Sequence, residues 1–136
     1  MDAGSAFGSI NWLAVILAAV SAFAVGGLWY GPVLGRSWMR LTGISEDDVR
    51  EANMVRTFGL AFLLDLLAAT ALALVIGAGS RAAFGAFAGF MAGAFFVGTA
   101  IGVIYLFERR PFALWAIDAG YQVLAFTLMG WLVGVW

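Results

Sequence analysis

Two aspartates and a few other polar side chains lie inside stretches of sequence that are otherwise apolar. Asp65 lies in the second of these stretches, and Asp118 lies in the fourth, closely followed by Tyr121 and Gln122. Placing a carboxyl group in hydrocarbon costs about 2.5–3.5 kcal/mol on insertion scales, so some interaction must offset that cost. Such carboxylates can carry protons on a solute path, or they can form hydrogen bonds that fix the packing of helices.

These side chains are predicted to form a polar layer inside the membrane. At 1.5 Å per residue, Asp65 lies roughly 15 Å into its helix, near the midplane, whereas Asp118 lies only about 6 residues into its own. The candidate members of the layer are Asp65, Asp118, Tyr121, Gln122, Thr99 and Ser21. The shallower Asp118 can reach water or an arginine, which favours a hydrogen-bonding role. For Asp65 both interpretations stay open.

Other kinds of chemistry have little support in the composition. The chain contains no histidine and no cysteine, which removes the usual ligands of zinc and haem and the usual thiol chemistry. The net charge of −1 provides no basic surface for nucleic acid. An enzyme would have to work with the two carboxylates alone. We therefore expect a protein that is not an enzyme and that uses no metal or cofactor.

The elements that hold these residues are predicted to be transmembrane helices. Of the 136 residues, 64% are hydrophobic and 11% are charged, whereas soluble domains carry about 25% charged residues. Four apolar segments reach the roughly 20 residues that a spanning helix needs. They cover about residues 10–30, 55–76, 82–106 and 112–136. We predict one domain over residues 1–136, an all-α integral membrane bundle of four transmembrane helices.

The connection between the first two helices has structure of its own. Pro32 is expected to end the first helix, since proline cannot continue the hydrogen-bond ladder. Apolar residues and arginines then predict a short interfacial segment, which ends at Gly43. Ser45 is predicted to cap a helix that starts near Glu46 and runs on into the membrane as the second span.

The arginines predict the orientation of the chain. Six of the seven lie in two loops on the same side of the membrane, and Arg81 lies on the other. The six are Arg36, Arg40, Arg50 and Arg56 in the first loop and Arg109 and Arg110 in the third. The positive-inside rule places these loops in the cytoplasm and both termini on the opposite side.

Small residues recur four positions apart in several helices and allow a neighbouring backbone to come close. The glycines are Gly85, Gly89, Gly93, Gly98 and Gly102 in the third helix and Gly130 and Gly134 in the fourth. The first helix offers Ala14, Ala18, Ala22 and Gly26. The pattern predicts packing within the bundle or a homo-oligomer interface. The aromatic residues near the predicted boundaries are expected to be headgroup-level anchors. They are Trp12, Trp29, Tyr30, Trp38, Trp131 and Trp136.

Several short motifs resemble a known family. They are Ile10–Val15, Gly27–Pro32 and Trp38-Met39 in the first part of the chain, and Phe107–Pro111 and Ala119–Gln122 in the second. With these motifs the chain resembles the small bacterial membrane proteins catalogued as domain of unknown function 1761. The resemblance implies a bacterial membrane protein of four helices, and it implies no activity.

Three classes of function follow from these observations. The leading prediction is a non-enzymatic protein of the bacterial inner membrane that self-associates or serves as an accessory subunit of a larger assembly. The alternative is a small proton-coupled transporter or channel that uses Asp65 and Asp118. The third is a lipid or quinone binder that uses the glycine-rich surface and the tryptophans.

Overall fold

Residues 3–135 are described by a computed structural model, and they form an all-α structure. In this part of the chain, four helical segments are long and apolar enough to cross a membrane. These spans are Trp12–Val33, Met54–Ile76, Ala82–Phe107 and Phe112–Val135. They differ from the predicted spans by only a few residues at their ends. Trp136, predicted to be an interface anchor, lies outside the described residues.

Eight α-helices and two wider, π-helical segments make up the described chain. The α-helices are α1 (Ala3–Gly8), α2 (Trp12–Leu28), α3 (Gly35–Thr42), α4 (Glu46–Glu51), α5 (Met54–Ile76), α6 (Ala82–Met91), α7 (Thr99–Phe107) and α8 (Phe112–Val135). The π segment Trp29–Val33 extends α2, and the π segment Ala92–Gly98 joins α6 to α7. The first span is therefore α2 with its π segment, and the third is α6 with α7.

The first span kinks where Gly31 precedes Pro32. Gly31 has a non-helical backbone (φ −99°, ψ −105°), and helical turns continue to Val33. At the start of α3, a Cβ on Gly35 would lie 3.2 Å from the Tyr30 carbonyl carbon. Only glycine lets α3 begin so close to this carbonyl. The turn therefore keeps the Tyr30 backbone next to the first residue of α3.

The interfacial segment predicted after the first span is α3, and a left-handed Gly43 (φ 77°) ends it. The predicted cap of α4 is also present. The Asp48 amide donates to the Ser45 hydroxyl at 3.1 Å, and the Ser45 amide donates to the Asp48 carboxylate at 2.9 Å. These bonds, the one from the Ser45 backbone first, hold the pKa of Asp48 below its usual range.

The prediction that the second helix runs unbroken from Glu46 into the membrane is wrong. The helix stops at Glu51, and Ala52 is extended (ψ 149°). Asn53 then caps a new helix by accepting the Arg56 amide at 3.1 Å. An asparagine side chain competes with the helical hydrogen bonds of the backbone, so this position favours a cap over continuation. The break leaves α4 as a separate short helix beside the bundle.

The glycines of the third span pack against α8 inside the same chain. A Cβ on Gly85 would lie 3.0 Å from Gly134 Cα, and one on Gly93 would lie 2.9 Å from Val123 Cα. Further along, Gly98 faces Ala119, and Gly102 faces Trp115. Ala14, Ala18 and Ala22 of α2 are buried likewise, and Gly26 faces Tyr121. The core beside them contains Val15, Ala18, Ala22, Ala69, Leu72, Ile76, Ala125 and Met129. The small-residue pattern is thus used for packing within the bundle.

Candidate functional site

Asp118 is held by two tyrosines from other spans. The Tyr30 hydroxyl donates to Asp118 Oδ1 at 2.7 Å, and the Tyr105 hydroxyl donates to Oδ2. Tyr30 lies in the π segment after α2, Tyr105 lies in α7, and Asp118 lies in α8. One carboxylate therefore joins three of the four spans at the end of the bundle where the arginine-rich loops lie.

Aromatic contacts fix Tyr30 in this position. Its ring packs edge to face against Trp38 and Tyr121, with centroids 5.8 and 5.3 Å away. Trp29 donates its indole N–H to the carbonyl of Ile117, the residue before Asp118, at 2.9 Å. The polar atoms of Trp29 and Tyr30, two of the predicted headgroup anchors, therefore bond within the bundle. Both are half-buried, and their donors are used in bonds to α8, since an unpaired donor is costly away from water.

Two members of the predicted layer lie apart from Asp118. The Thr99 side chain is exposed, and its hydroxyl donates to the Phe95 carbonyl at 2.7 Å. The Ser21 hydroxyl donates to the Ala18 carbonyl, also at 2.7 Å. Such bonds to the preceding turn are the usual way in which a helix satisfies these hydroxyls. Thr99 was assigned to the layer by its depth along the helix, but its exposed side chain does not join Asp118.

Tyr121 packs against the Tyr30 ring, and Asp65 lies on α5. The Tyr121 hydroxyl donates to the Ala22 carbonyl at 2.8 Å and so joins α8 to α2. Asp65 is half-buried in α5. Gln122 is half-buried on α8. Among residues 3–135, no chain of hydrogen bonds joins Asp65 to Asp118.

A groove of about 740 Å³ opens beside Asp118, and we call it the Asp118 groove. Most of its walls are apolar or aromatic, from Tyr30, Trp38, Met39, Val49, Met54 and Phe58. Its charged residues are Asp118 at the bundle side and Glu46 and Arg50 on α4. The short helices α3 and α4 thus form a wall against the membrane-spanning helices. Sites for small molecules have volumes of about 300–1,000 Å³.

Two arginines, Arg50 and Arg110, are paired with carboxylates other than Asp118. Arg50 lies 3.5 Å from Glu46 and 3.7 Å from Asp47 on the exposed surface of α4. Arg110 binds Glu108 at 2.7 Å, and its guanidinium lies 5.2 Å from the centroid of the Tyr105 ring. The Glu108 carboxylate also raises the pKa of Arg110. In the described part of the chain, no arginine nitrogen lies within 4.0 Å of Asp118.

The partners of Asp118 are the part of the site that the sequence reasoning missed. Tyr105 was not singled out, and Tyr30 was assigned to the headgroup level. Both lie near the ends of their spans on the same side as Asp118, so a comparison of depths would have found them. Within residues 3–135, no group of three or more acidic, His or Cys residues could hold a metal ion.

Comparison with known proteins places the chain in a family. A family model described as Protein of unknown function (DUF1761) matches residues 13–134, which include parts of all four spans. The chain belongs to this family. The resemblance noted in the sequence motifs is thereby confirmed. No curated protein and no solved structure matches the chain. The function is therefore inferred from the Asp118 groove.

Proposed function

We propose that this chain is a non-enzymatic protein of the bacterial inner membrane that binds an amphipathic molecule from the bilayer in the Asp118 groove. The groove itself carries this proposal. It combines about 740 Å³ of space and mostly apolar walls with a carboxylate and a tyrosine at one end. Ligand sites commonly have such apolar walls and a few placed polar groups that fix orientation. Lipids and quinones belong to this class of ligand.

The position of the groove suits a ligand that arrives from the membrane. Two of its walls come from α3 and α4, the short helices between the first and second spans. The arginine distribution favours the cytoplasmic side for this end of the bundle and the opposite side for both termini. A molecule at that interface can keep a polar group near α4 and place its apolar part between the helices.

A tryptophan scan at two valines tests the proposal. Val49 lines the groove, so Val49→Trp should fill it, whereas Val55 is 85% exposed and lies outside it. Native mass spectrometry of protein purified in mild detergent should reveal a retained small molecule with the wild type and with Val55→Trp. The Val49→Trp variant should lose it. A wild-type protein without a defined adduct, or the same adduct on all three proteins, would contradict the proposal.

Self-association is a second candidate, and a second groove favours it. This groove has a volume of about 510 Å³ and lies between α5 and α6. Its lining is almost wholly apolar and includes Ala68, Ala71, Val75, Phe84, Phe87 and Phe96. Because the glycines already pack within the chain, this groove offers a separate apolar surface for a helix of a second copy or of a larger assembly.

Single-molecule photobleaching in liposomes tests this second candidate. Ala71→Trp should block the groove between α5 and α6 and raise the fraction of monomers. Leu63→Trp is the matched control, because Leu63 is 51% exposed on the same helix outside that groove. Single bleaching steps for the wild type at all protein densities would rule self-association out.

Proton-coupled transport is a third candidate. The observations that favour it are that Asp65 is half-buried within the second span and that Tyr121 packs on Tyr30 beside Asp118. Proton flux into proteoliposomes should then be lower for an Asp65→Asn, Asp118→Asn double variant than for the wild type. Unchanged flux would exclude this role for the two carboxylates.

A further inference from the structure

Asp118 is a carboxylate with no described arginine nitrogen within 4.0 Å. Its two hydrogen bonds come from tyrosine hydroxyls, which are neutral donors. A carboxylate offers about four lone-pair positions, so these two bonds leave about half of them free. Charge removed from water is stabilised best by a partner of opposite charge. The groove therefore presents an acceptor that suits a positively charged group.

The aromatic walls of the groove favour the same kind of ligand. Tyr30 and Trp38 pack edge to face at 5.8 Å beside Asp118, and Phe58 lines the groove with them. The faces of aromatic rings attract cations, and tryptophan attracts them best. Arg50 is the positive charge in the lining, and it is paired with Glu46 and Asp47 on the exposed side of α4. A cation at Asp118 therefore meets carboxylate and aromatic surface together.

We infer that the ligand of the Asp118 groove is a free organic cation with an apolar body, an inference that rests on the proposed function of the groove. A lipid ammonium group fits less well, because the phosphate of a zwitterionic headgroup would be brought close to Asp118. The arginine that lines the groove, Arg50, is already paired with Glu46 and Asp47. The apolar body would pack against Met39, Val49 and Met54.

Two probes of the same shape and opposite charge test this inference. Equilibrium dialysis of the full chain in an uncharged maltoside detergent would measure the binding of tetraphenylphosphonium and of tetraphenylborate, with protein-free micelles as the blank. Asp118→Asn removes the charge and keeps the size of the side chain. Asp65→Asn is the matched control, since Asp65 is a carboxylate within a span that does not line the groove. Thermal unfolding of each variant would establish that it is folded.

The wild type and Asp65→Asn should bind tetraphenylphosphonium saturably, and Asp118→Asn should bind it about tenfold more weakly or worse. Tetraphenylborate should bind no more than in the blank. Equal affinity in Asp118→Asn, or binding of neither probe, would overturn the inference. Binding of both probes would also overturn it, since the groove would then recognise apolar surface alone.

Added phosphatidylethanolamine provides the last arm of the experiment. If it displaces tetraphenylphosphonium from the wild type at low concentration, the ligand is a lipid ammonium and the inference of a free cation fails. Lack of displacement supports the free cation. The Val49→Trp experiment uses no cationic probe, so it judges the proposed function of the groove independently of these results.

Discussion

Replacing Gly89 by alanine tests the closest approach of two helices in the bundle. A Cβ at this position would lie 2.8 Å from the carbonyl carbon of Phe126 and 3.1 Å from Thr127 Cα. Carbon atoms ordinarily pack at about 3.5–4.0 Å. Both obstacles are backbone atoms of α8, which cannot rotate away as the end of a side chain can. The third span would have to move away from α8, and the contacts of its other glycines would loosen with it.

Overpacking of this kind costs about 1–3 kcal/mol. For Gly89→Ala we expect a loss of about 2 kcal/mol or more in the free energy of unfolding, because the strain falls on backbone of both helices. Gly59→Ala is the matched control. Gly59 is exposed on α5, and its Cβ would meet no atom within 4 Å. Alanine should there gain about 0.5–1 kcal/mol from its higher helix propensity.

Unfolding of both variants would be followed by circular dichroism in maltoside micelles to which dodecyl sulfate is added. We expect Gly59→Ala to be the most stable of the three proteins, the wild type to be intermediate and Gly89→Ala to be the least stable. A Gly89→Ala protein as stable as Gly59→Ala would refute the close packing of α6 on α8. The glycines of the third span would then again be candidates for an interface with another molecule.

Three further predictions concern other parts of the chain. Tyr121→Phe removes the bond to the Ala22 carbonyl and should cost about 0.6–1.5 kcal/mol in the same unfolding assay. The folded-state pKa of Asp48 is lowered, so its capping bonds stabilise α4 above the unfolded pKa of about 3.9 and are lost as pH falls through the folded pKa. Nuclear magnetic resonance Cα shifts of α4 should lose helical character on acidification through that range. The third prediction concerns orientation. The chain has no cysteine, so in the variants Gly4→Cys and Glu51→Cys a maleimide can label only the introduced thiol. A membrane-impermeant maleimide should label Gly4→Cys, but not Glu51→Cys, in intact spheroplasts.

Each of these has an outcome that counts against it. Unchanged stability of Tyr121→Phe would mean that the bond between α8 and α2 contributes nothing. Helical shifts in α4 that stay constant on acidification would contradict the role of Asp48. Labelling of Glu51→Cys alone would place both termini in the cytoplasm and reverse the proposed orientation.

The sequence predicted the helices far better than their contacts. Hydrophobic length located all four spans, because a helix in a bilayer must be long and apolar whatever it packs against. The glycine spacing also predicted close packing, which α6 and α8 form. The predicted cap at Ser45 is present as well. These features depend on local sequence, so they can be derived one segment at a time.

The candidate site depends on how each helix is rotated about its axis, and hydrophobicity constrains that rotation only weakly. Asp118 was singled out from the sequence, yet its partners Tyr30 and Tyr105 come from two other spans. Thr99 was given a similar depth and points outwards. In a chain that is apolar on every side, depth can be counted from the sequence, whereas direction is decided by packing between helices.

The π segment Ala92–Gly98 decides the direction in which Tyr105 points. A π turn contains more residues than an α turn, so it changes the angular phase of everything that follows it. If the same residues adopted α geometry with none deleted, α7 would turn by roughly 100° relative to α6. The Tyr105 hydroxyl would then lose its hydrogen bond to the Asp118 carboxylate, although no residue of the site had been altered. The bond from Tyr105 to Asp118 therefore depends partly on the number of residues per turn in the π segment Ala92–Gly98.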